Sequence, residues 1–324
     1  MGIGPTPEQV ESWSAIFTVP DVWSPLVAEV MRREGLGSLE SMEAGLPGSN
    51  AVFIVNSDLV VKLFWPRFED DQGREVEAHR LLRARPEIPA PLVLAAGLIE
   101  DDLPWRYVVF ERLPGLSLGE VRGQVPRADM RRIADEFGDI VRAIHTIAVP
   151  EPPSPLARDH QQWRNWVEEA IRAAPERHAA DLARVPRMRD ELPGFLASAE
   201  LTPPGDALRV LHCDLTADHL LVEDRDGRWR VSGLIDFGDA EVGHVDYEWV
   251  ALHPHCFAYD HELTSGFLRA YGYPFDRESA RRATACCFLH RFATIAPVLA
   301  AVGMAGPDVG FDDLVERLWG GVCV

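Results

Sequence analysis

The sequence predicts an α+β chain in two parts, strand-rich in residues 1–113 and mainly helical in residues 114–324. Three observations predict it. Two β-branched runs, Ala51-Val52-Phe53-Ile54-Val55 and Leu59-Val60-Val61-Lys62-Leu63-Phe64, flank the turn Asn56-Ser57-Asp58. A third run from Trp105 to Glu111 is closed by Leu113-Pro114-Gly115, a turn signal that makes a natural boundary. From about residue 117 onward the apolar spacing is mostly helical.

In chain order, residues 5–35 read as helical, with Pro7-Glu8 at the opening and Trp13, Ile16 and Phe17 apolar. Residues 43–50, Glu-Ala-Gly-Leu-Pro-Gly-Ser-Asn, form a turn-rich loop. Such a loop before a strand–turn–strand is the shape that folds over a nucleotide's phosphates. Residues 73–85 should be helical, with Glu75, His79 and Leu82 on one face. Further helices are expected near 128–147 and 160–173, separated by a proline-rich loop over 150–155. Two short strands, Leu208–Leu211 and Trp229–Ile235, interrupt the helical part, and helices continue to the end. No internal repeat is present.

The chain has 324 residues and 47% hydrophobic content, enough for a substantial core without covalent staples. Its five cysteines (Cys213, Cys256, Cys286, Cys287, Cys323) form no C-x-x-C pair, and the odd number suits a reducing, cytoplasmic setting with mostly buried thiols. A net charge of −19 argues against nucleic acid or an anionic membrane as partner. No apolar run of about 18 residues suggests a membrane span, and no secretory signal pattern opens the chain. A monomer or a homodimer is expected.

Two acidic segments carry the chemistry. Asp214 lies in Val210-Leu211-His212-Cys213-Asp214-Leu215-Thr216-Ala217-Asp218-His219, and Asp236 in Gly233-Leu234-Ile235-Asp236-Phe237-Gly238-Asp239. Phosphoryl transfer needs one carboxylate facing the incoming hydroxyl and a second holding Mg²⁺ against the phosphates. Each aspartate stands at a strand end, with a hairpin-like connection between them, so both are expected to converge on one cleft. Lys62 is the only lysine in the chain, and every other Lys/Arg cation is arginine. A lysine survives such a bias where a compact ammonium is required and a guanidinium fork cannot fit. Buried in an apolar strand it needs a partner, and Glu75 on the following helix can supply one. His253, His255 and His261 lack the cysteine or carboxylate spacing of a metal site.

His212-x-Asp214-x4-His219 followed by Ile235-Asp236-Phe237-Gly238-Asp239 resembles the catalytic-loop and magnesium motifs of the aminoglycoside phosphotransferase family, and the resemblance extends over most of the chain. It implies a two-lobed protein-kinase-like fold and a kinase that uses ATP or GTP with Mg²⁺. It makes Asp214 the catalytic base and Asp236 a metal ligand. Gly48-Ser49-Asn50 resembles the family's phosphate loop, which assigns Ser49 and Asn50 to the nucleotide. Lys62 resembles the lysine on the α/β-phosphates; Glu75 is its partner, with Glu77 as fallback. Val108 to Gly115 resembles the adenine hinge, with backbone contacts from Glu111 and Leu113; the bulk of Phe110, bordering the adenine pocket, leaves GTP open beside ATP. His219 stands where the family carries asparagine, so a second metal is held differently or His219 meets phosphate. The family's Gly-Asp-Pro is replaced by Gly243-His244-Val245, with Glu248 at a structural acidic position. Phe288-Leu289-His290 and Leu314 to Gly320 look closest to the hygromycin-phosphorylating branch.

Asp218, Asp239, Glu241, Asp246, Asp260 and Glu262 follow the core motifs, and of these Asp218, Asp239, Glu241, Asp260 and Glu262 are taken as acceptor-binding. Carboxylates there suit a small cationic acceptor such as an aminoglycoside, which would make the chain a resistance enzyme. The alternatives are a same-fold kinase of an amino sugar or choline-like alcohol, and a nucleotide-binding pseudokinase.

Overall fold

The computed structural model describes residues 2–67, 70–202, 207–291 and 294–322. Cys323 lies outside the described residues. The chain divides into two compact units: Met1–Gly115 with Ser232–Asp239, and Leu116–Val231 with Ala240–Val324.

The first unit opens with α1 (Pro7–Glu11), α2 (Trp13–Ile16) and α3 (Pro20–Glu34). Thr6 and Gln9 form a capping box at α1, and Pro20 begins α3 at a position whose N–H needs no helical partner. The helical N-terminus expected from the sequence is therefore three helices. The strands β1 (Met42–Ala44), β2 (Ala51–Val55) and β3 (Leu59–Leu63) are followed by α4 (Asp71–Leu82), β4 (Val93–Glu100) and β5 (Pro104–Glu111). The five strands form one sheet in the order β1-β2-β3-β5-β4. Asn56 and Ser57, at φ +51° and +68°, give the three-residue turn of the β2–β3 hairpin its left-handed backbone. Asn56 Oδ1 accepts from Glu40 N at 2.9 Å and Nδ2 donates to Ser38 O at 2.8 Å, which fixes the turn.

One face of the sheet carries Phe53, Val61, Leu63, Trp105, Tyr107 and Val109 against Trp23, Leu26, Val27 and Val30 of α3. Full burial of such a side chain contributes roughly 1.5–3 kcal/mol. A second cluster of Phe64, Val108 and Phe110 lies apart from it. The segment Ser232–Asp239, placed in the helical part by the sequence division, groups with this first unit. Leu234 N donates to Pro89 O at 2.9 Å, and Ser232 Oγ to Pro114 O at 2.8 Å.

The second unit contains β6 (Leu116–Ser117), α5 (Leu118–Val121), α6 (Arg127–His145), α7 (His160–Arg177) and α8 (Pro186–Ser198). Next come β7 (Arg209–Leu211), β8 (Leu220–Arg225), β9 (Arg228–Leu234, whose last residues belong to the first unit) and β10 (Glu241–Gly243). Then follow α9 (Trp249–Ala251), a wide turn Leu252–Cys256, α10 (His261–Tyr271), α11 (Arg277–Leu289), α12 (Ile295–Ala301) and α13 (Phe311–Trp319). Met130, Ile133, Ala134, Phe137, Val141 and Ile144 form the buried stripe of α6 at helical spacing. Gly138 lets α6 approach α10, because a side chain there would strike the Phe267 carbonyl. Antiparallel pairing of β7 with β10 sets Leu211 opposite Glu241 and Arg209 opposite Gly243. Among the described residues no helix is long and apolar enough to cross a membrane. Cys213, Cys256, Cys286 and Cys287 are buried free thiols.

Candidate active site

In the first unit, strand β3 points Lys62 inward. Its ammonium lies 2.7 Å from Glu75 Oε2 and 2.8 Å from Asp236 Oδ1. Glu75 comes from α4; Glu77, on another face, pairs with Arg80 at 2.6 Å. The Lys62 and Glu75 side chains are 5% and 1% exposed, against 38% for Asp236. The pair is therefore sealed, and one carboxylate opens to solvent. Burial alone would lower the Lys62 ammonium, but Asp236 and then Glu75 outweigh it and hold it above the ordinary lysine value. Burial pushes Glu75 up to about 7 against the pull of Lys62, with Asp236 and Asp239 adding to the push.

Asp236 adopts a left-handed backbone at φ +66°. That conformation costs a non-glycine residue about 1–3 kcal/mol and persists only where neighbours impose it. Lys62 holds the side chain, and Phe237 anchors the next residue by packing its ring edge-on to His79 at 5.2 Å. The opposite neighbour of His79 is Phe110, at 5.0 Å. His79 lies one turn after Glu75 on α4, so one helix orders both the ion pair and the aromatic contact.

The loop of residues 45–50 is tied down from two sides. The Trp13 indole donates to Ser49 O at 3.1 Å, and Asn50 Oδ1 accepts from Trp65 N at 3.2 Å. The Asn50 side chain thus braces the exit of β3, while Ser49 is exposed. In the sequence Trp13 stands out only as an apolar residue of a helical stretch. At the strand end, Glu111 N donates to Leu92 O at 3.1 Å and Glu111 Oε1 accepts from Leu92 N at 3.1 Å. That amide is committed to the sheet.

In the second unit the turn after β7 presents Asp214. Glu248, fully buried, accepts from His212 N at 2.9 Å and from Cys213 N at 3.2 Å. Asp214 N donates to His212 Nδ1 at 3.2 Å. Cys213 is left-handed at φ +65°, and its carbonyl lies 3.1 Å from His290 Nε2. His290 in turn stacks on Tyr247 at 4.8 Å. His219 Nδ1 lies 3.0 Å from Asp214 O and 3.4 Å from Asp214 Oδ2. A ring nitrogen beside a carbonyl must carry the proton, so this one donates to the loop. Glu248, expected at a structural acidic position, and His290 thus buttress the loop.

Asp214 also borders a cavity of about 140 Å³ within the second unit, walled by side chains that include His253, Tyr259, Ile295, Val298 and Trp319. None of the five carboxylates expected at the acceptor lines it. Asp260 and Glu262 are both clasped by Arg127, and Glu262 also by Arg131 at 2.6 Å. Glu241 faces Arg158 at 3.0 Å and Arg291 at 3.6 Å. Asp218 is exposed and sits where a side chain on Gly119 would collide with it. Asp239 belongs to the first unit, near Glu75.

A model of the APH phosphotransferase enzyme family matches residues 44–282. The chain belongs to the phosphotransferase enzyme family. Its fold is that of solved phosphotransferases. A point mutant of aminoglycoside 2′-phosphotransferase-IIIa with GDP superposes with a TM-score of 0.65 at 20% identity, over 90% of this chain and 94% of that one. A streptomycin–ATP complex of APH(2″)-IIa gives 0.55 at 15% identity, over 91% and 98%. Macrolide 2′-phosphotransferase type I gives 0.57 at 17% identity, over 93% and 97%. The fold is accordingly α+β and protein-kinase-like. The family match spans Lys62, Glu75, Asp214 and Asp236, but stops short of α12 and α13, which carry Ile295, Val298 and Trp319 of the cavity wall.

Proposed function

We propose that this phosphotransferase moves the γ-phosphate of ATP or GTP to a hydroxyl of a small molecule, with Asp214 as catalytic base. The observation that carries the reading is the sole lysine, sealed between Glu75 and Asp236. A compact ammonium fixed in that way is built to meet phosphate oxygens without moving.

The residues divide the work. Lys62 orients the α/β-phosphates, and Glu75 keeps its ammonium from swinging away. The loop bearing Ser49, braced by Trp13, covers the phosphates, and the backbone at Leu113 receives the purine. Phe110, buried beside Phe64 and Val108, borders the base. Mg²⁺ bound with the nucleotide would neutralise phosphate charge. Asp236 fits it, being an oxygen donor open to solvent, and the remaining ligands of such an ion come from phosphate and water. His219 fits it poorly, since it offers nitrogen and its Nδ1 is engaged by the Asp214 carbonyl. We assign His219 to positioning Asp214 instead. As the acceptor oxygen bonds to phosphorus and the bond to the leaving nucleoside diphosphate breaks, Asp214 takes up the hydroxyl proton.

Solved proteins of the same fold bear the names of aminoglycoside and macrolide phosphotransferases, which supports an antibiotic-like acceptor and a resistance role. Within the segments that look hygromycin-like, His290 braces the Cys213 carbonyl, and Leu318 and Trp319 wall the cavity beside Asp214. The test is Asp214→Ala in a Mg²⁺-nucleotide assay over aminoglycosides, amino sugars and macrolides, with ATP and GTP in parallel. Turnover should vanish while nucleotide affinity stays within about twofold, because positioning at the hydroxyl adds nothing to nucleotide binding. Undiminished turnover in that variant would sink the assignment.

A further inference from the structure

The cavity beside Asp214 differs in character from the acidic surface around it. Its lining includes His253 and Trp319, stacked at 4.6 Å, with Tyr259 edge-on to His253 at 5.4 Å. Ile295, Val298 and Leu318 add aliphatic surface. Among the described residues that line it, Asp214 is the one carboxylate, and no lysine or arginine is present. His253 is held neutral, because burial, reinforced by the nearby His261, pushes its ring down to about 3. Burial likewise lowers His290.

A polycation placed here would meet one carboxylate, and that one is committed to the reacting hydroxyl. Each further ammonium would be desolvated against aromatic and aliphatic carbon without a partner, which opposes its entry. Of the five carboxylates expected at the acceptor, Asp260, Glu262 and Glu241 are occupied by Arg127, Arg131 and Arg158, and neither Asp218 nor Asp239 lines the cavity. Aromatic planes and branched aliphatics, by contrast, suit a neutral ring with an apolar face.

We propose that the acceptor is an uncharged alcohol, whose reacting hydroxyl meets Asp214 while an adjoining apolar face packs against His253, Trp319, Ile295 and Val298. This rests on the reading of Asp214 as the catalytic base. It replaces the cationic acceptor that the count of acidic residues suggested.

The experiment is a mass-spectrometric phosphorylation assay with Mg²⁺ and ATP or GTP over two panels. One holds neutral alcohols of graded apolar area, namely phenyl and alkyl β-glucosides and neutral macrocyclic lactones. The other holds kanamycin and streptomycin. The variant Val298→Asp adds a carboxylate to the wall at a half-buried position, and a circular dichroism spectrum close to wild type checks that it folds. We expect phosphate transfer to the neutral panel, with kcat/KM rising with apolar area and falling about tenfold or more in Val298→Asp, equivalent to one unpaired charge. Better transfer to kanamycin or streptomycin, or transfer to neither panel, overturns the proposal. The slow hydrolysis of nucleotide by water separates the causes. If it still depends on Asp214, only the acceptor class is wrong; if it does not, the phosphotransferase reading of Asp214 has failed with it.

Discussion

Replacing Lys62 with methionine keeps the apolar stem and removes the ammonium that Glu75 and Asp236 share. The two carboxylates respond differently. Asp236, 38% exposed, can regain water, whereas Glu75 at 1% cannot. Burial already pushes Glu75 up to about 7 from its ordinary 4.5 with the lysine in place. Without it, Glu75 must take up a proton when the chain folds at neutral pH. That uptake costs about 1.4 kcal/mol for each pH unit above 4.5, or roughly 3 kcal/mol near pH 7. The sign follows from linkage: an acid whose folded value lies above its unfolded one costs nothing below the unfolded value, and the penalty grows as pH rises. Near pH 5 it should be under about 1 kcal/mol. Urea unfolding of Lys62→Met, followed by tryptophan fluorescence at both pH values, measures it. The double variant Lys62→Met/Glu75→Leu should recover most of the loss at pH 7, since a packed apolar pair replaces a buried ion pair at little cost. A Lys62→Met variant equally stable at pH 5 and pH 7, or a double variant no more stable than the single one at pH 7, refutes this account of the buried pair.

The same slot should reject arginine: Lys62→Arg is expected to lower kcat about a hundredfold through misplacement of the phosphates, with a circular dichroism spectrum close to wild type. Wild-type kcat in that variant would show that the sole lysine has no steric reason to be one. Glu248→Gln weakens the bonds from the His212 and Cys213 amides and should cost about 1.5–3 kcal/mol in urea unfolding. Its kcat should fall while the nucleotide Kd holds, whereas an equal change in both would place Glu248 outside the catalytic loop's support. His253, flanked by His261 and Asp260, has its folded value lowered to about 3 from 6.5, so stability falls as pH drops between those values, by about 2 kcal/mol near pH 5. His253→Gln should flatten that slope, and an unchanged pH profile in chemical denaturation would contradict the burial of a neutral ring.

Much of the fold was legible because its elements rest on local patterns. The β2–β3 hairpin was visible in two β-branched runs around Asn56-Ser57, and α6 in the spacing of its apolar stripe. Strand β4 escaped notice because Ala95, Ala96 and Gly97 have little strand preference; pairing with β5 makes it a strand. Strands β8 and β10 are equally dependent on partners, Leu116–Ser117 and β7. The roles of Trp13 behind Ser49 and of His290 behind Cys213 arise across separations of 36 and 77 residues, where no spacing rule operates.

What the amino-acid order determined by itself is the chemistry: one lysine, an aspartate in a His-x-Asp loop and another in an Ile-Asp-Phe-Gly turn, all residue types whose function lies in their own atoms. What only the tertiary structure decided is which charges remain available. Charge in a sequence is a count, whereas charge in a folded protein depends on partners and water. Arg127 and Arg158, from α6 and the loop before α7, neutralise Asp260, Glu262 and Glu241, and α12 and α13 line the Asp214 cavity with carbon instead.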